Sequence, residues 1–369
     1  MKTVVVNGEV FSTGFMVGIP RYSIEVLREL DKMELPFDIE LVLPREIDLG
    51  VKFERIKTVI WKPGLMKFGK FGREYWRETA FTKYANSKDT IVLDICMMLQ
   101  RKRNDITFIY DCQPEKFATN YLTKPYSRYM QKVRLNLRRK AAANAKIIVT
   151  DSYDARKDIA EVFGVTEEKI RVVYCGWQHF ERVAADESIF GELEGVEKGK
   201  YFFSLGSRYK HKNMDWIYAA ARQNPKYKFV VTGHNTLADY AKDIESQAPE
   251  NVIFTGFLSD EKVKALMASC RAFIQPSLSE GFGMPPLEAI SAGATDIIVS
   301  NVTALPEVYG EYAHYIDPLK YENIDMDKIL GSEVRRPVSD ILGRYSWTTA
   351  AKQIRDLIET FEEDFDGQR

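Results

Sequence analysis

Two glutamates, Glu280 and Glu288, stand eight residues apart in the stretch of the sequence whose residue types are most suited to chemistry. The apolar run 272–274 comes just before them and predicts the end of a buried strand. Pro285-Pro286 suits the first positions of a helix, because proline lacks an N–H that would be unsatisfied there, and Gly293 suits the end of that helix. The pattern predicts a strand, a glycine-bearing loop with Glu280, and a helix with Glu288. In open α/β sheets, such loops bind anionic ligands, phosphates above all.

A second loop with basic side chains follows the predicted strand 201–206. Arg208 can hold a phosphate through two parallel hydrogen bonds, and Lys212 supplies a second positive charge. Solvated surface charge is the alternative interpretation of these two residues. The following helix, predicted over 215–222, makes the loop a second candidate for binding an anion.

The segment 280–288 resembles the EX7E signature of retaining nucleotide-sugar glycosyltransferases, in particular glycosyltransferase family 4, which has the GT-B fold. The resemblance is strong over residues 201–347 and looser over 1–180. Five further segments are similar to segments of that family: 18–22, 147–152, 206–213, 256–260 and 305–310.

The resemblance implies two Rossmann-like domains that face each other across a cleft, an α/β architecture. The expected domains are residues 1–180, which would bind the acceptor, and residues 181–345, which would bind the nucleotide sugar. The apolar stripe of the last helix, 346–369, predicts that it packs against other elements. In the GT-B fold such a helix crosses back to the N-terminal domain.

The family's site residues carry over to matching positions here. As catalytic residues the resemblance implies Glu280, Arg208, Lys212 and Asp111. As donor ligands it implies Gly18, Ser207, Arg208, Lys212, Gly233, Phe257, Leu258, Glu280, Phe282, Gly283, Met284, Leu287 and Glu288. As acceptor ligands it implies Arg21, Tyr110 and Asp111. A structural turn remains the alternative for the Gly18 segment.

The chain departs from the family pattern at Tyr110, where many members have a histidine. Tyrosine can donate a hydrogen bond to a sugar hydroxyl but does not titrate near neutral pH. The departure argues against a histidine base at this position. It is also the one feature that favours a non-catalytic binding partner of an active transferase.

The resemblance implies transfer of a hexose-type sugar to a glycan or lipid-linked saccharide in bacterial-type surface polysaccharide synthesis, with retention of configuration. A same-face displacement is the expected mechanism. We expect no cofactor and no metal, because cationic side chains would stabilise the leaving diphosphate. The co-substrate would be a UDP, GDP or dTDP sugar. An epimerase acting on a nucleotide sugar remains an alternative.

The net charge of −1 conceals a basic region. Residues 51–150 contain 22 Lys and Arg against 8 Asp and Glu. This excess favours an anionic partner such as a membrane surface or a lipid-linked diphosphate. Nucleic acid is not expected, because no recognised binding module accompanies the charge.

The four scattered cysteines, and the lack of a signal peptide or a long apolar run, predict a cytoplasmic protein, with the inner face of the membrane as an alternative position.

Overall fold

The computed structural model describes residues 2–14, 18–62, 72, 75–87, 89–97, 104–117, 125–206, 209–233 and 244–366. Strands in these residues form two sheets, and every strand pair is parallel. Apolar side chains cover both faces of each sheet, as expected when helices pack on both sides.

The first sheet has seven strands in the order β3-β2-β1-β4-β5-β6-β7. They are β1 Thr3–Asn7, β2 Asp38–Leu43, β3 Lys57–Ile60, β4 Thr90–Asp94, β5 Ile106–Phe108, β6 Ile147–Thr150 and β7 Ile170–Val172. The direction of the strand order reverses between β1 and β4. Ligands of such sheets bind outside the carboxyl ends of the strands at this reversal.

The second sheet has six strands in the order β10-β9-β8-β11-β12-β13. They are β8 Tyr201–Leu205, β9 Lys228–Thr232, β10 Val252–Gly256, β11 Ala272–Gln275, β12 Ile297–Ser300 and β13 His314–Ile316. The reversal lies between the neighbouring strands β8 and β11. The two loops singled out in the sequence follow these two strands.

The described α-helices vary widely in length. They are α1 Ile19–Asp31, α2 Thr82–Asn86, α3 Gln113–Phe117, α4 Pro125–Asn144, α5 Tyr153–Phe163, α6 Ile189–Glu192, α7 Met214–Gln223, α8 Asp260–Ser269, α9 Met284–Ala292, α10 Ala304–Tyr309, α11 Met326–Leu330 and α12 Trp347–Asp366. A π-helix spans Trp76–Phe81, and short 3-10 helices span Glu9–Thr13, Glu167–Lys169, Lys210–Lys212, Gly310–Tyr312 and Val338–Arg344. None of the described helices is both long and apolar enough to cross a membrane.

The predicted helix boundaries around the central motif are confirmed. Gly283 and Gly293 flank α9 in left-handed conformations, with φ of 85° and 115°. A side chain at either position would strain the backbone, so glycine suits both ends. Ser152 and Ser346 accept hydrogen bonds from the first turns of α5 and α12 and so cap these helices.

Helix α12 crosses back to the N-terminal half of the chain. The hydroxyl of Thr348 donates to Glu29 of α1 at 2.8 Å. The Trp347 ring meets the Tyr22 ring edge-on at 5.3 Å between centroids. The last helix therefore joins the two halves, as expected for the GT-B fold.

Candidate active site

Glu280 and Lys212 form an ion pair where β8 and β11 end. Lys212 Nζ lies 2.7 Å from Glu280 Oε1, and both side chains are largely buried. β8 and β11 are neighbouring parallel strands, so the loops that follow them leave the sheet at the same edge. Lys212 and Glu280 lie on these two loops and can therefore pair. Burial by itself raises the pKa of Glu280, but the charge and the hydrogen bond of Lys212, with smaller contributions from His211 and Ser277, together hold that pKa below its usual value. Glu280 is thus a buried carboxylate that depends on a cation.

Thr303 supports the backbone of Glu280. Its hydroxyl accepts a hydrogen bond from the Glu280 N–H at 3.1 Å. Thr303 also has a φ of 52°, a conformation that β-branched residues rarely adopt. Strain of this kind persists only where the surrounding structure requires it, and it is frequent at functional sites.

Glu288, on the second turn of α9, has a different kind of partner. His179 Nε2 lies 2.9 Å from Glu288 Oε1, and the indole N–H of Trp347 donates to His179 Nδ1 at 3.1 Å. Burial opposes ionisation of Glu288, yet the hydrogen bond from His179 and the charge of Arg21 keep its pKa below the usual value. The carboxylate therefore stays ionised without a direct cationic partner.

The N-terminal half approaches the Glu280 loop at backbone distance. Ser152 Oγ donates to the Gly281 carbonyl at 2.5 Å, and Gln113 Nε2 donates to the Ser279 carbonyl at 3.1 Å. A Cβ at Gly281 would collide with the carbonyl oxygen of Tyr110. Only glycine fits at position 281 in this arrangement.

Two buried aspartates of the N-terminal half lie beside this contact. Burial raises the pKa of Asp111 although Arg138 opposes the shift, and burial with the charge of Asp111 raises the pKa of Asp151 well above its usual value. Asp151 Oδ1 is buried and has no hydrogen-bond partner among the residues that the structure describes. On the N-terminal side of the cleft, burial therefore disfavours the charged forms of Asp111 and Asp151. On the opposite side, the charged form of Glu280 is favoured.

Three residues near the cleft lie in surroundings that their local sequence does not indicate. The Tyr110 hydroxyl, expected to donate to a sugar, donates instead to the Ile95 carbonyl at 2.7 Å within the core. Arg21, expected at the acceptor, pairs with Asp260 of the other half at 2.5 Å. His211 is buried, and burial with the neighbouring Lys212 charge lowers its pKa to about 4. In each case the side chain is placed by the core or by the other half of the chain, and the local sequence contains no signal for that contact.

The other predicted donor ligands divide by exposure. Leu287, Phe282 and Gly283 are buried, Gly18, Leu258, Gly233 and Met284 are exposed or partly buried, and Phe257 is 54% exposed. Buried Leu287 supports α9 by packing, and its N–H donates to Tyr309. Ser207 and Arg208 lie outside the described residues.

Sequence analysis missed His179, Trp347, Thr303, Ser152 and Asp151. His179 carried one usable signal, since it is one of only four histidines in the chain. The others have no local pattern that separates them from ordinary caps and core residues. The described residues contain no group of three or more potential metal ligands among His, Cys, Asp and Glu.

Two parallel α/β halves that meet at their strand ends, with a last helix that crosses back, define the GT-B class of glycosyltransferase folds. Residues 186–322 match the family of glycosyl transferases group 1. This match and the fold identify the protein as a glycosyltransferase.

The chain is similar to several glycosyltransferases over most of its length. It is 25% identical over 285 residues to the O-antigen chain mannosyltransferase RfbU of Salmonella typhimurium, covering 75% of this chain and 72% of that protein. It is 25% identical over 361 residues to the MMP alpha-(1->4)-mannosyltransferase of Mycolicibacterium hassiacum, covering 90% and 85%. The structure of Anabaena HepE in complex with UDP-glucose superposes with a TM-score of 0.71 at 16% identity, covering 98% and 100%.

Proposed function

We propose that this glycosyltransferase moves a hexose from a nucleotide sugar to a glycan or lipid-linked saccharide in surface polysaccharide synthesis, with retention of configuration. The ion pair between Lys212 and Glu280 at the strand-order reversal carries the proposal. The names of the similar mannosyltransferases make mannose the first sugar to test. The complex of HepE with UDP-glucose supports a nucleotide-sugar donor.

In this proposal the second half of the chain holds the donor. Glu288 accepts hydrogen bonds from the ribose hydroxyls, since a carboxylate offers only acceptors. Glu280 orients the hydroxyls of the transferred sugar. The N–H groups of Phe282, Gly283 and Met284, in the loop and at the first residue of α9, face the sugar or the diphosphate, because a helix N-terminus favours negative charge.

Lys212 stabilises the charge that develops on the leaving diphosphate. The bond from the anomeric carbon to the diphosphate breaks as the acceptor oxygen bonds to that carbon from the same face. The acceptor hydroxyl's proton passes to the departing phosphate oxygen. A covalent glycosyl adduct trapped on any side chain would contradict this same-face displacement.

The proposed mechanism needs no cofactor and no metal, because Lys212 supplies the positive charge at the leaving group. Transfer measured with and without EDTA checks this point. A rate that collapses with EDTA and recovers with a divalent cation would contradict it.

Thermal unfolding against UDP, GDP, ADP, dTDP and their sugar conjugates tests the donor assignment. A ligand that binds only the folded state at a hundredfold excess over its Kd stabilises that state by about 2.7 kcal/mol. We expect one nucleotide to stabilise the wild type but not Lys212→Ala. The matched control Lys200→Ala removes a solvent-exposed lysine that pairs with Glu197, and it should respond like the wild type.

Product analysis with the stabilising donor separates the alternatives. Sugar transfer to an acceptor supports the proposal. Donor conversion without an acceptor would indicate an epimerase, and binding without any turnover would indicate a non-catalytic partner. If no nucleotide stabilises the wild type, the donor site itself is refuted.

The exposed cations of α4 favour a peripheral position at an anionic membrane. Its exposed cations are Arg128, Lys132, Arg134, Arg139 and Lys140. Each cation near an anionic bilayer contributes about 1 kcal/mol. We expect the protein to sediment with anionic but not with neutral vesicles, and the variant Lys132→Glu/Arg134→Glu to lose that binding. Equal sedimentation with both vesicle types would contradict an electrostatic contact.

A further inference from the structure

A buried chain of hydrogen bonds connects Trp347 to Glu288 through His179. The two links are 3.1 Å from the indole nitrogen to His179 Nδ1, and 2.9 Å from His179 Nε2 to Glu288 Oε1. Trp347 and the side chain of His179 are each only 1% exposed. Water therefore cannot replace either link easily.

The first link fixes the proton of His179. An indole N–H can only donate, so Nδ1 must accept. The remaining proton sits on Nε2, and that N–H donates to Glu288. The hydrogen bond occupies Oε1 of the carboxylate and leaves Oε2, which has no hydrogen-bond partner among the described residues, for a ligand. Glu288 is 14% exposed, so Oε2 remains within reach of the cleft.

Both members of the chain lie where the polypeptide passes between the two halves. His179 follows β7, and Trp347 is the first residue of α12. The Trp347 N–H donates to Gln178 Oε1 at 3.1 Å, and Gln178 Nε2 donates to the Tyr345 carbonyl at 3.0 Å. These hydrogen bonds join the segment at Gln178 and His179 to the segment at Tyr345 and Trp347. His179 in turn joins both segments to α9.

We propose that His179, oriented by Trp347, is a positioning residue that holds the Glu288 carboxylate for the ribose of the donor. This inference rests on the proposed donor role of Glu288. A carboxylate held at one oxygen cannot rotate freely, so the other oxygen keeps the direction that the ribose hydroxyls need. Because Trp347 is the first residue of α12, the position of this helix then affects how the nucleoside is recognised.

Calorimetric titration of four proteins tests the proposal: wild type, His179→Leu, His179→Gln and Trp347→Phe. The ligands are the nucleoside diphosphate that stabilises the wild type most and its 2′,3′-dideoxy analogue. We expect His179→Leu to weaken the ribose ligand about tenfold or more, as for loss of a hydrogen bond to a charged group. Its effect on the dideoxy ligand should stay within about twofold, because that ligand has no hydroxyls for Glu288.

The two conservative variants sharpen the test. His179→Gln keeps an N–H donor at similar reach and should recover most of the affinity. Trp347→Phe keeps an aromatic ring but not the N–H, and should give an intermediate loss. Equal weakening of both ligands by His179→Leu would show a purely structural role and overturn the proposal, as would no weakening at all.

Nitrogen-15 NMR of the His179 ring provides a readout that needs no ligand. We expect a protonated Nε2 and an unprotonated Nδ1 in the wild type. A proton on Nδ1 in the wild type would overturn the inference. If no nucleotide binds the wild type, the proposed function fails, and the NMR result then shows separately whether the hydrogen-bond chain exists.

Discussion

Glu280 and Glu288 are both buried carboxylates with lowered pKa values, yet their partners differ in kind. Glu280 pairs with the cation Lys212, whereas Glu288 accepts a hydrogen bond from His179. An ammonium can exchange a carboxylate for a phosphate, whereas a tautomer fixed by an indole N–H cannot change partner. Under the proposed function, we therefore expect Lys212 to exchange Glu280 for the donor phosphate, while Glu288 keeps its hydrogen bond with His179.

The largest expected effect is at Lys212. Lys212→Met leaves the Glu280 carboxylate buried without its cation, which should cost about 2 kcal/mol of unfolding free energy. It also removes charge stabilisation from the leaving group, which should slow transfer about a hundredfold or more. Urea unfolding and single-turnover kinetics measure the two losses.

The double variant Lys212→Met/Glu280→Gln controls for the stability loss. It should regain most of the unfolding free energy, since no buried charge remains, but none of the transfer rate. Recovery of the rate would show that Lys212 acts only by neutralising Glu280, and the distinction between the two glutamates would disappear.

Glu288→Gln should have the next largest effect. The amide oxygen can still accept from His179, so unfolding should change little, but ribose hydroxyls lose a charged acceptor. Nucleotide affinity should fall about tenfold, as for one hydrogen bond to a charged group. Titration calorimetry measures it, and Glu280→Gln is the matched comparison, with an expected loss mainly in turnover. A loss of turnover in Glu288→Gln and a loss of affinity in Glu280→Gln would show that the two residues have the opposite roles.

Gly281→Ala should separate the halves by adding a Cβ against the Tyr110 carbonyl. Overpacking of this kind costs about 1 kcal/mol, or roughly fivefold in turnover. Steady-state kinetics and small-angle scattering check both consequences. Gly191→Ala is the control, since a Cβ there meets nothing within 4 Å. Equal behaviour of the two variants would show that the contact at Gly281 does not matter for catalysis.

Asp111→Asn should have the smallest effect on stability, and a positive one. Because burial raises the pKa of Asp111, the unfolded chain loses this proton at lower pH than the folded protein. Folding therefore carries a cost above the folded pKa, and this cost disappears below the ordinary value of 3.8. The variant should have a higher Tm at neutral pH, and the gain should vanish in acid. Asn can still accept from the Gln113 N–H, so a lower Tm at pH 7 would refute the argument.

Local patterns predicted the elements that build the site. The helix start at Pro285-Pro286 and its end at Gly293 follow from backbone chemistry that each residue carries within one turn. The parallel α/β architecture with facing halves is confirmed by the two sheets and by the fold comparison. These features depend on neighbours close in sequence, so the sequence alone contains their signal.

Partners distant in sequence decided the rest. The sequence by itself determined that Glu280 and Glu288 lie on a loop and a helix beside a strand end, because apolar runs, prolines and glycines act locally. Only the tertiary structure decided that Tyr110 donates into the core, that Arg21 pairs with Asp260, and that His179 orients Glu288. Those contacts join residues 15 to 239 positions apart, and packing of the two halves, rather than any local preference, brings them together.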